Sequence, residues 1–264
     1  MTAAVVATVD EALLARIEAA SLNASAPPQQ RWLDGWLVRT SPGKAQRARS
    51  INPVAVGRMP LAQKLALASM DFREAGLPML IRLTPFSQPP GLDAMLAALG
   101  WRRDSPTHVL VRTAKFEALT AKDLSAGCIW QQMDNTEFTA AIGALRGSPA
   151  DQQRAHAERL AASPVVYRGF AIRQRGDGGV LCCGQFAREG KLVGLYDIHT
   201  AASSRRTGLA QMLCERLLLS AAAEGAETAY LQVDTANAAA LAVYRRLYFE
   251  AGYDYHYRHA PVPD

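Results

Sequence analysis

The sequence predicts an α/β (α+β) protein in which a mixed sheet is flanked by helices on both faces. Short apolar segments that are typical of strands alternate along the chain with amphipathic segments that are typical of helices. Hydrophobic residues make up 49% of the 264 residues, which is enough for a sizeable core. The length allows one or two domains, and we expect two, at residues 1–115 and 116–264.

Charge and cysteine usage argue against several classes of protein. Basic residues outnumber acidic ones by 29 to 24, but they are dispersed along the chain, so nucleic-acid binding is not indicated. No segment has the length and hydropathy of a membrane span, and the first residues lack the basic start of a signal peptide. The cysteines (Cys128, Cys182, Cys183 and Cys214) show no metal-ligand spacing. We therefore expect a cytoplasmic protein without a metal, and the abundance of Ala and Arg is typical of GC-rich bacterial genomes.

The first half is predicted to form three helices and four strands. Thr8 and Glu11 fit a capping box at the start of the first helix, and Gly76 marks the end of the second. Residues 41–44 (Ser-Pro-Gly-Lys) fit a turn between the first two strands. The predicted order is a helix at 8–21, strands at 32–40 and 45–52, a helix at 61–75, a strand at 77–84, a helix at 92–99 and a strand at 108–113.

The second half is predicted to form six strands and four helices. Gly147, Ser148 and Pro149 separate the first two helices, and glycines mark turns at 176–179 and 189–190. The predicted order is a strand at 128–133, helices at 136–145 and 151–162, strands at 167–174, 180–187 and 192–200, a helix at 209–223, a strand at 229–234, a helix at 238–247 and a strand at 253–258.

The two halves resemble each other at an offset of about 148 residues. Residues 61–65 match residues 209–213 at four of five positions. The order hairpin, helix, strand, helix, strand is the same in both halves, and this makes a duplicated domain the favoured interpretation. Coincidence between Ala- and Leu-rich helices is the alternative.

A strand at 192–200 leads through a short loop to the sequence Arg205-Arg206-Thr207-Gly208-Leu209-Ala210 at the start of a helix. A diphosphate binds where several backbone N–H groups converge at the positive end of a helix without a side chain in the way. Gly208 and Ala210 leave that space open, and Arg205 and Arg206 add positive charge. An ordinary turn with two solvated arginines is the alternative for this segment taken alone.

This segment resembles motif A of the GNAT superfamily of acetyl-CoA-dependent N-acetyltransferases, whose pattern is Gln/Arg-x-x-Gly-x-Gly/Ala. A second signature of that superfamily, Asn-x-x-Ala-x-x-Leu-Tyr-x-x-x-Gly-Phe, falls on Asn237, Ala240, Tyr244 and Phe249, with Val243 for Leu and Tyr248 for Gly. The resemblance covers about residues 130–258. It implies a mostly antiparallel GNAT-like sheet and acetyl-CoA as the co-substrate.

The resemblance also implies the binding residues for acetyl-CoA. The fourth strand of the domain would separate from the fifth and offer its backbone groups near 198–200 to the amides of pantetheine. Asn237 would contact the pantetheine arm, although plain helix capping explains it equally well. The residues implied in binding are Ile198, His199, Thr200, Arg205, Arg206, Thr207, Gly208, Leu209, Ala210, Gln211, Asn237, Ala240 and Tyr244.

Tyr244 occupies the position where the superfamily places the phenol that protonates the CoA thiolate. A phenol with a pKa near ~10 and a thiol with a pKa near ~8.5 are close enough for proton transfer. The alternative is a core aromatic residue. We therefore expect Tyr244 to be the catalytic acid.

The general base is not evident in the sequence. Where members of the superfamily carry Glu on the fourth or fifth strand, this chain has Gly194 and Gln232. Asp197 and His199 are ionisable, but strand alternation places them on the face opposite Tyr196 and Ile198. Cys182 and Cys183 lie in an apolar strand and are interpreted as small buried hydrophobic residues.

The first half is interpreted as a degenerate GNAT-like copy. At the repeat offset Pro60 replaces Gly208 and Leu96 replaces Tyr244, so the cradle and the acid are both missing. Trp32 and Trp36 are candidates for an acceptor pocket, with core packing as the favoured alternative. A fragment of about residues 116–264, where it is soluble, is expected to bind CoA, and a fragment of residues 1–115 is not.

The function predicted from these features is acetyl transfer from acetyl-CoA to a primary amine of a small-molecule or protein acceptor. The missing carboxylate leaves a second hypothesis, an inert acyl-CoA-binding sensor or regulatory protein. The sequence leaves the acceptor and the choice between monomer and homodimer open.

Overall fold

The computed structural model describes residues 9–116, 119–120 and 122–261. Within these residues eleven strands form a single sheet, and seven α-helices pack on it. The strands are β1 (Gln30–Leu33), β2 (Trp36–Arg39), β3 (Ile51–Pro53), β4 (Leu80–Leu83), β5 (Arg102–Arg112), β6 (Cys128–Met133), β7 (Tyr167–Gln174), β8 (Val180–Glu189), β9 (Leu192–Thr200), β10 (Thr228–Asp234) and β11 (Glu250–His259). The helices are α1 (Glu11–Ala24), α2 (Leu61–Glu74), α3 (Leu92–Ala98), α4 (Asn135–Arg146), α5 (Ala150–Ala161), α6 (Leu209–Ala223) and α7 (Ala238–Arg246).

The order of strands in the sheet is β1-β2-β3-β4-β11-β5-β10-β9-β8-β7-β6. Two neighbouring pairs, β3 with β4 and β9 with β10, are parallel, and each pair is connected through a helix. The other neighbouring pairs are antiparallel. The predicted fold class, a mixed and mostly antiparallel sheet flanked by helices, is confirmed.

Apolar side chains cover both faces of the sheet. Helices α1, α4 and α5 pack on one face, which we call face A, through side chains such as Ile17, Phe138 and Leu160. Helices α6 and α7 cover the opposite face, face B, and α2 and α3 extend that layer over the β1 end of the sheet. Alternation along the strands supplies both cores, because Cys183 packs in the core of face A and Cys182 in that of face B.

The two halves of the chain exchange strands. Strand β5 of the first half lies between β10 and β11 of the second half, and β11 lies between β4 and β5. The last strand of each half therefore completes the other half's part of the sheet. The domain boundary after residue 115 stays a prediction, and the sheet is continuous across it.

The first predicted strand, 32–40, is wrong as a single element. It is a hairpin of β1 and β2 around Asp34 and Gly35, whose φ angles are 44° and 84°. Asp-Gly favours a two-residue hairpin turn because both positions need positive φ. Residues 45–52, predicted as a strand, contain a 3-10 turn at 46–48 and only the start of β3.

Two element boundaries also differ from the prediction. Thr8 lies outside the described residues, and Asp10 is the N-cap of α1, accepting a hydrogen bond from the Ala12 amide (3.4 Å). Strand β5 begins at Arg102 rather than 108, because Ser105 (φ 50°) and Pro106 form a bulge opposite β11 instead of a turn. None of the helices in the described part of the chain is long and apolar enough to span a bilayer.

Candidate active site

The parallel strands β9 and β10 separate halfway along their length. They pair only from Leu192 to Leu195 and from Thr228 to Leu231. Beyond these residues β9 continues to Thr200 beside β8 alone, and β10 continues to Asp234 beside β5 alone. The separation agrees with the strand geometry that the resemblance implied. A cavity of about 920 Å³ occupies the opening.

A β-bulge in β9 changes which side chains enter this cavity. The register with β8 shifts between Cys183 and Gln185, and Asp197 has a φ of 54°. Strand alternation is therefore broken, and Asp197 lies on face A together with Tyr196. The expectation that Asp197 and His199 lie on the face opposite Tyr196 was wrong because a bulge inserts an extra residue, whereas Ile198 does lie opposite them and packs against the core of face B. The cavity is lined by Tyr196, Asp197, Ile198 and His199.

The predicted diphosphate cradle lies at the face B end of the cavity. Gly208 is the N-cap of α6 with φ 85°, and Arg206 also has a positive φ of 62°. No heavy atom lies within 4 Å of the position that a Cβ of Gly208 would occupy, so this side of the turn is open. The first N–H groups of α6 are therefore available to an anion, as a phosphate cradle requires.

Twelve of the thirteen residues implied in binding line the cavity, and Thr207 does not. The Thr207 hydroxyl instead donates to the Ser204 carbonyl oxygen (2.7 Å) and stabilises the turn. The Oδ1 of Asn237 accepts from the Ala240 amide (3.1 Å) as the N-cap of α7, and the residue also lines the cavity. The lining residues of the set are Ile198, His199, Thr200, Arg205, Arg206, Gly208, Leu209, Ala210, Gln211, Asn237, Ala240 and Tyr244.

Tyr244 is a core aromatic residue that also reaches the cavity, where the acid was expected. Its ring is 8% exposed and packs against Phe249, with ring centroids 5.9 Å apart, yet the residue also lines the cavity. Burial, and to a smaller extent Cys214, raises the pKa of Tyr244. The phenol therefore keeps its proton at neutral pH and can donate it.

The end of the cavity on face A was not found from the sequence. Residues Ser25, Ala45 and Arg47 of the first half line it together with Arg159 and Tyr167 of the second. These positions are far apart in the chain and carry no shared motif. Neither candidate acceptor tryptophan lines the cavity: Trp36 is buried in the core between the sheet and α2, which confirms the favoured alternative of core packing for it, and Trp32 is 63% exposed.

The positions of the missing carboxylates are filled by other groups. A side chain at Gly194 would come within 2.6 Å of Tyr196, whose hydroxyl lies 2.8 Å from that of Tyr230. The Gln232 amide donates to Ser21 Oγ (2.7 Å) and accepts from the Tyr255 hydroxyl (2.9 Å). Neither strand position therefore holds a base.

The two ionisable candidates on β9 have different properties. Burial raises the pKa of Asp197, but His156 and the charges of Arg146 and Arg159 outweigh this and hold it well below its usual range. Burial, followed by the charges of Arg146 and Arg205, lowers the pKa of His199. Asp197 is therefore a poor proton acceptor, whereas His199 is neutral at pH 7.

The adjacent cysteines are buried, as predicted. Burial raises the pKa of Cys182 and of Cys183 to about 12, so neither is a nucleophile at neutral pH. Among the described residues no group of three His, Cys, Asp or Glu side chains could hold a metal ion.

A family model matches residues 183–259, which include the opening between β9 and β10 and the start of α6. Its description is "Probable histone acetyltransferase Rv0428c C-terminal". No curated protein matches the chain.

Solved structures with GNAT names share the fold over nearly the whole chain. A GCN5-related N-acetyltransferase from Kribbella flavida is 18% identical with a TM-score of 0.66, covering 95% of this chain and 96% of its own. A tandem GNAT protein from the clavulanic acid biosynthesis pathway is 14% identical with a TM-score of 0.63, covering 92% and 89%. A GNAT-family protein from Novosphingobium aromaticivorans is 18% identical with a TM-score of 0.53, covering 90% and 94%. The chain therefore has the GNAT fold.

Proposed function

We propose that this protein is an N-acyltransferase that moves the acetyl group of acetyl-CoA to a primary amine. One observation carries the proposal: a single cavity joins an anion cradle at the start of α6, the free backbone of β9 and the Tyr244 phenol. These are the parts that binding a diphosphate, binding an amide-rich arm and protonating a thiolate require. The buried, unpaired cysteines fit a reducing compartment such as the cytoplasm.

The residues present fit acetyl-CoA, which supplies a thioester when bound. The N–H groups at the start of α6 would hold its diphosphate, with Arg205 and Arg206 adding charge. The backbone groups of β9 beyond Leu195, which have no partner on β10, would hydrogen-bond the amides of the pantetheine arm. Asn237 would hold the same arm from the start of α7.

Tyr244 would serve as the acid. The amine nitrogen forms a bond to the acyl carbon, the carbon–sulfur bond breaks, and Tyr244 donates its proton to the sulfur that leaves. Because burial raises the pKa of Tyr244, the phenol first stabilises the developing thiolate by a hydrogen bond, and the proton that it then gives to the sulfur is replaced from solvent.

Gly194 and Gln232 cannot take the proton that the amine loses, and Asp197 is a poor acceptor for it. An amine with an ordinary lysine pKa must also lose a proton before it attacks, at a cost of about 4.6 kcal/mol at pH 7. Water in the cavity would carry these protons to bulk solvent, and neutral His199 is the one side chain on the free part of β9 suited to assist it.

The inert acyl-CoA-binding protein stays as the second candidate. One observation favours it: neither usual base position can hold a base. Gly194 is packed against tyrosines, and Gln232 makes two hydrogen bonds. Such a protein would bind CoA and release no thiol with any amine.

Release of CoA thiol from acetyl-CoA across a panel of primary amines tests the proposal, with Tyr244→Phe as the variant. Phenylalanine keeps the ring in its packing against Phe249 and removes the proton. We expect wild-type turnover with at least one amine, about a 100-fold lower kcat in the variant and little change in CoA affinity. Turnover within threefold of wild type, with chemistry shown to limit the rate, would remove Tyr244 from the mechanism.

A further inference from the structure

We propose that the acceptor is a small primary amine that also carries an anionic group, a carboxylate or a phosphate, which Arg47 and Arg159 bind. This inference rests on the proposed acyltransferase function. It is carried by the charges at the face A end of the cavity, which are not balanced within the described part of the protein.

Arg47 is a cation that faces the cavity without an acidic partner. It is half-buried, its guanidinium carbon lies 5.7 Å from the centroid of the Tyr196 ring, and it lines the cavity. Among the described residues no carboxylate lies within 4.0 Å of its side chain, and it donates no hydrogen bond to any of them. Its N–H groups are therefore available to a ligand.

Arg159 on α5 adds a second cation at the same end. It is 8% exposed, and its charge lies over the Tyr167 ring at 5.9 Å. One of its nitrogens donates to the Ala24 carbonyl oxygen (3.3 Å), but no described carboxylate lies within 4.0 Å of it. A nearly buried cation is costly unless it is paired, so a ligand anion here would gain more than a surface contact does.

The neighbouring arginines show what pairing looks like in this region. Arg82 lies 2.5 Å from Glu18, and Arg146 lies 2.8 Å from Asp197. Asp197 is thus already paired with Arg146. The three arginines that line this end of the cavity, Arg47, Arg146 and Arg159, share Asp197 as their carboxylate. The excess positive charge is available for a bound anion.

The phosphates of CoA are not the anions that this end suits. The cradle is anchored near Thr200, whose carbonyl oxygen accepts from Arg205 (3.5 Å). Tyr196, under Arg47, lies four residues earlier on β9, but the bulge shortens this to three register positions on β8, from Cys182 to Gln185, or roughly 10 Å along a strand. The acyl group would lie between the two ends, so the anion bound at Arg47 belongs to the acceptor.

The burial of these cations favours a small molecule over a protein lysine. A lysine side chain has no anion fixed near its amine, whereas an amino acid or an amino phosphate does. The two arginines would orient such an acceptor so that its amine points to the opening between β9 and β10. A guanidinium pairs with a carboxylate or a phosphate through two parallel hydrogen bonds.

The test compares matched acceptors: amino acids, their carboxamides, amino alkyl phosphates and a short lysine-containing peptide. Release of CoA thiol gives kcat/KM for each acceptor with wild type, Arg47→Gln, Arg47→Lys and the control Arg102→Gln, whose side chain is 66% exposed on β5. We expect wild type to prefer an anionic acceptor over its neutral analogue by tenfold or more. Arg47→Gln should abolish most of that ratio, Arg47→Lys should retain part of it, and Arg102→Gln should leave it unchanged.

The outcomes separate the two claims. Preference for the carboxylates or for the phosphates identifies the anion. Equal or better turnover of neutral amines or of the peptide overturns the inference. A preference for anionic acceptors that is unchanged in Arg47→Gln also overturns it. Both results leave the proposed function standing. Release of no thiol with any acceptor by a protein that binds CoA overturns the proposed function, and the inference falls with it.

Discussion

A single residue, Asp197, holds the bulge of β9 in place. Its two carboxylate oxygens accept hydrogen bonds from Arg146 (2.8 Å) and Gln185 (2.7 Å), and His156 lies 3.4 Å away. A residue with positive φ inside a strand is strained, and these contacts from α4, β8 and α5 fix it. The side chain that was considered as a base is therefore better explained as the support of the cavity wall.

Asp197→Asn should lower the free energy of unfolding by about 2 kcal/mol at pH 7, because the half-buried carboxylate loses its charge-assisted hydrogen bond with Arg146 and its attraction to buried Arg159. The folded pKa of Asp197 is depressed, so its stabilisation is complete above the unfolded pKa near 3.8 and is lost as the pH falls through the folded pKa. The difference between wild type and variant should therefore be constant from pH 7 to about 5 and shrink below about pH 4. Urea unfolding of both proteins from pH 7 to below pH 4 measures this difference in the free energy of unfolding.

Asp254→Asn is the matched control, because Asp254 pairs with His108 at the surface with its side chain 71% exposed. Its effect should stay within about 0.5 kcal/mol at pH 7. An Asp197→Asn effect as small as that of the control, or one that grows as the pH falls, would contradict the structural role.

Gly194 shows what the sequence reveals of a single site residue. The absence of a carboxylate could be recognised directly, because the strand and its position were predicted correctly. The reason for its absence could not be recognised from the sequence. The space beside Gly194 is filled by Tyr196 on the same strand and by Tyr230 on β10. Only the pairing of the strands brings the two hydroxyls together.

Among the elements, strands and helices that have strong periodicity were predicted to within a few residues, as α6 and β9 show. The bulge in β9 was missed because it depends on the partner strand. Gly184 of β8 faces the bulge, and a side chain there would come within 2.5 Å of Ile198 Cδ1. A glycine inside an apolar strand is a weak signal of a bulge, and it could have prompted the correct prediction.

The hairpin of β1 and β2 was missed for a different reason. Its strands are only four residues each, and a run of apolar residues on either side of Asp34 suggested one long strand. The Asp34-Gly35 pair carried the stronger signal, because both positions require positive φ. The face A end of the cavity depends on this region, since the turn that carries Arg47 follows β2.

At the scale of the whole molecule, the exchange of β5 and β11 changes the behaviour expected of the halves. The fragment 116–264 was expected to bind CoA alone, but it lacks β5 and would leave β10 and β11 unpaired along their shared side. We now expect this fragment to be unfolded or aggregated by itself. Co-expression with residues 1–115 should restore a soluble complex that binds CoA.

Folding is measured by hydrogen exchange, association by size-exclusion chromatography and binding by CoA titration, for the fragment and for the co-expressed pair. A cooperatively folded fragment 116–264 that binds CoA as tightly as the full chain would contradict the structural importance of the exchange.

The repeat offers a matched pair of variants for the proposed acyl-CoA site. Ala210 and Ala62 are each the second residue of a helix, α6 and α2, and they coincide at the repeat offset. Proline at Gly208 is unsuitable because φ is 85° there and proline needs about −65°. Aspartate in a first helical turn favours the helix and places a negative charge where the diphosphate would bind.

Calorimetric titration of CoA into wild type, Ala210→Asp and Ala62→Asp tests the central claim most directly, that the cavity at the start of α6 binds acyl-CoA. The account predicts binding by wild type, at least a tenfold loss of affinity in Ala210→Asp through like-charge repulsion and wild-type affinity in Ala62→Asp, with all three proteins folded. Wild-type protein that fails to bind CoA, or folded Ala210→Asp that binds it as tightly as Ala62→Asp, would contradict the account.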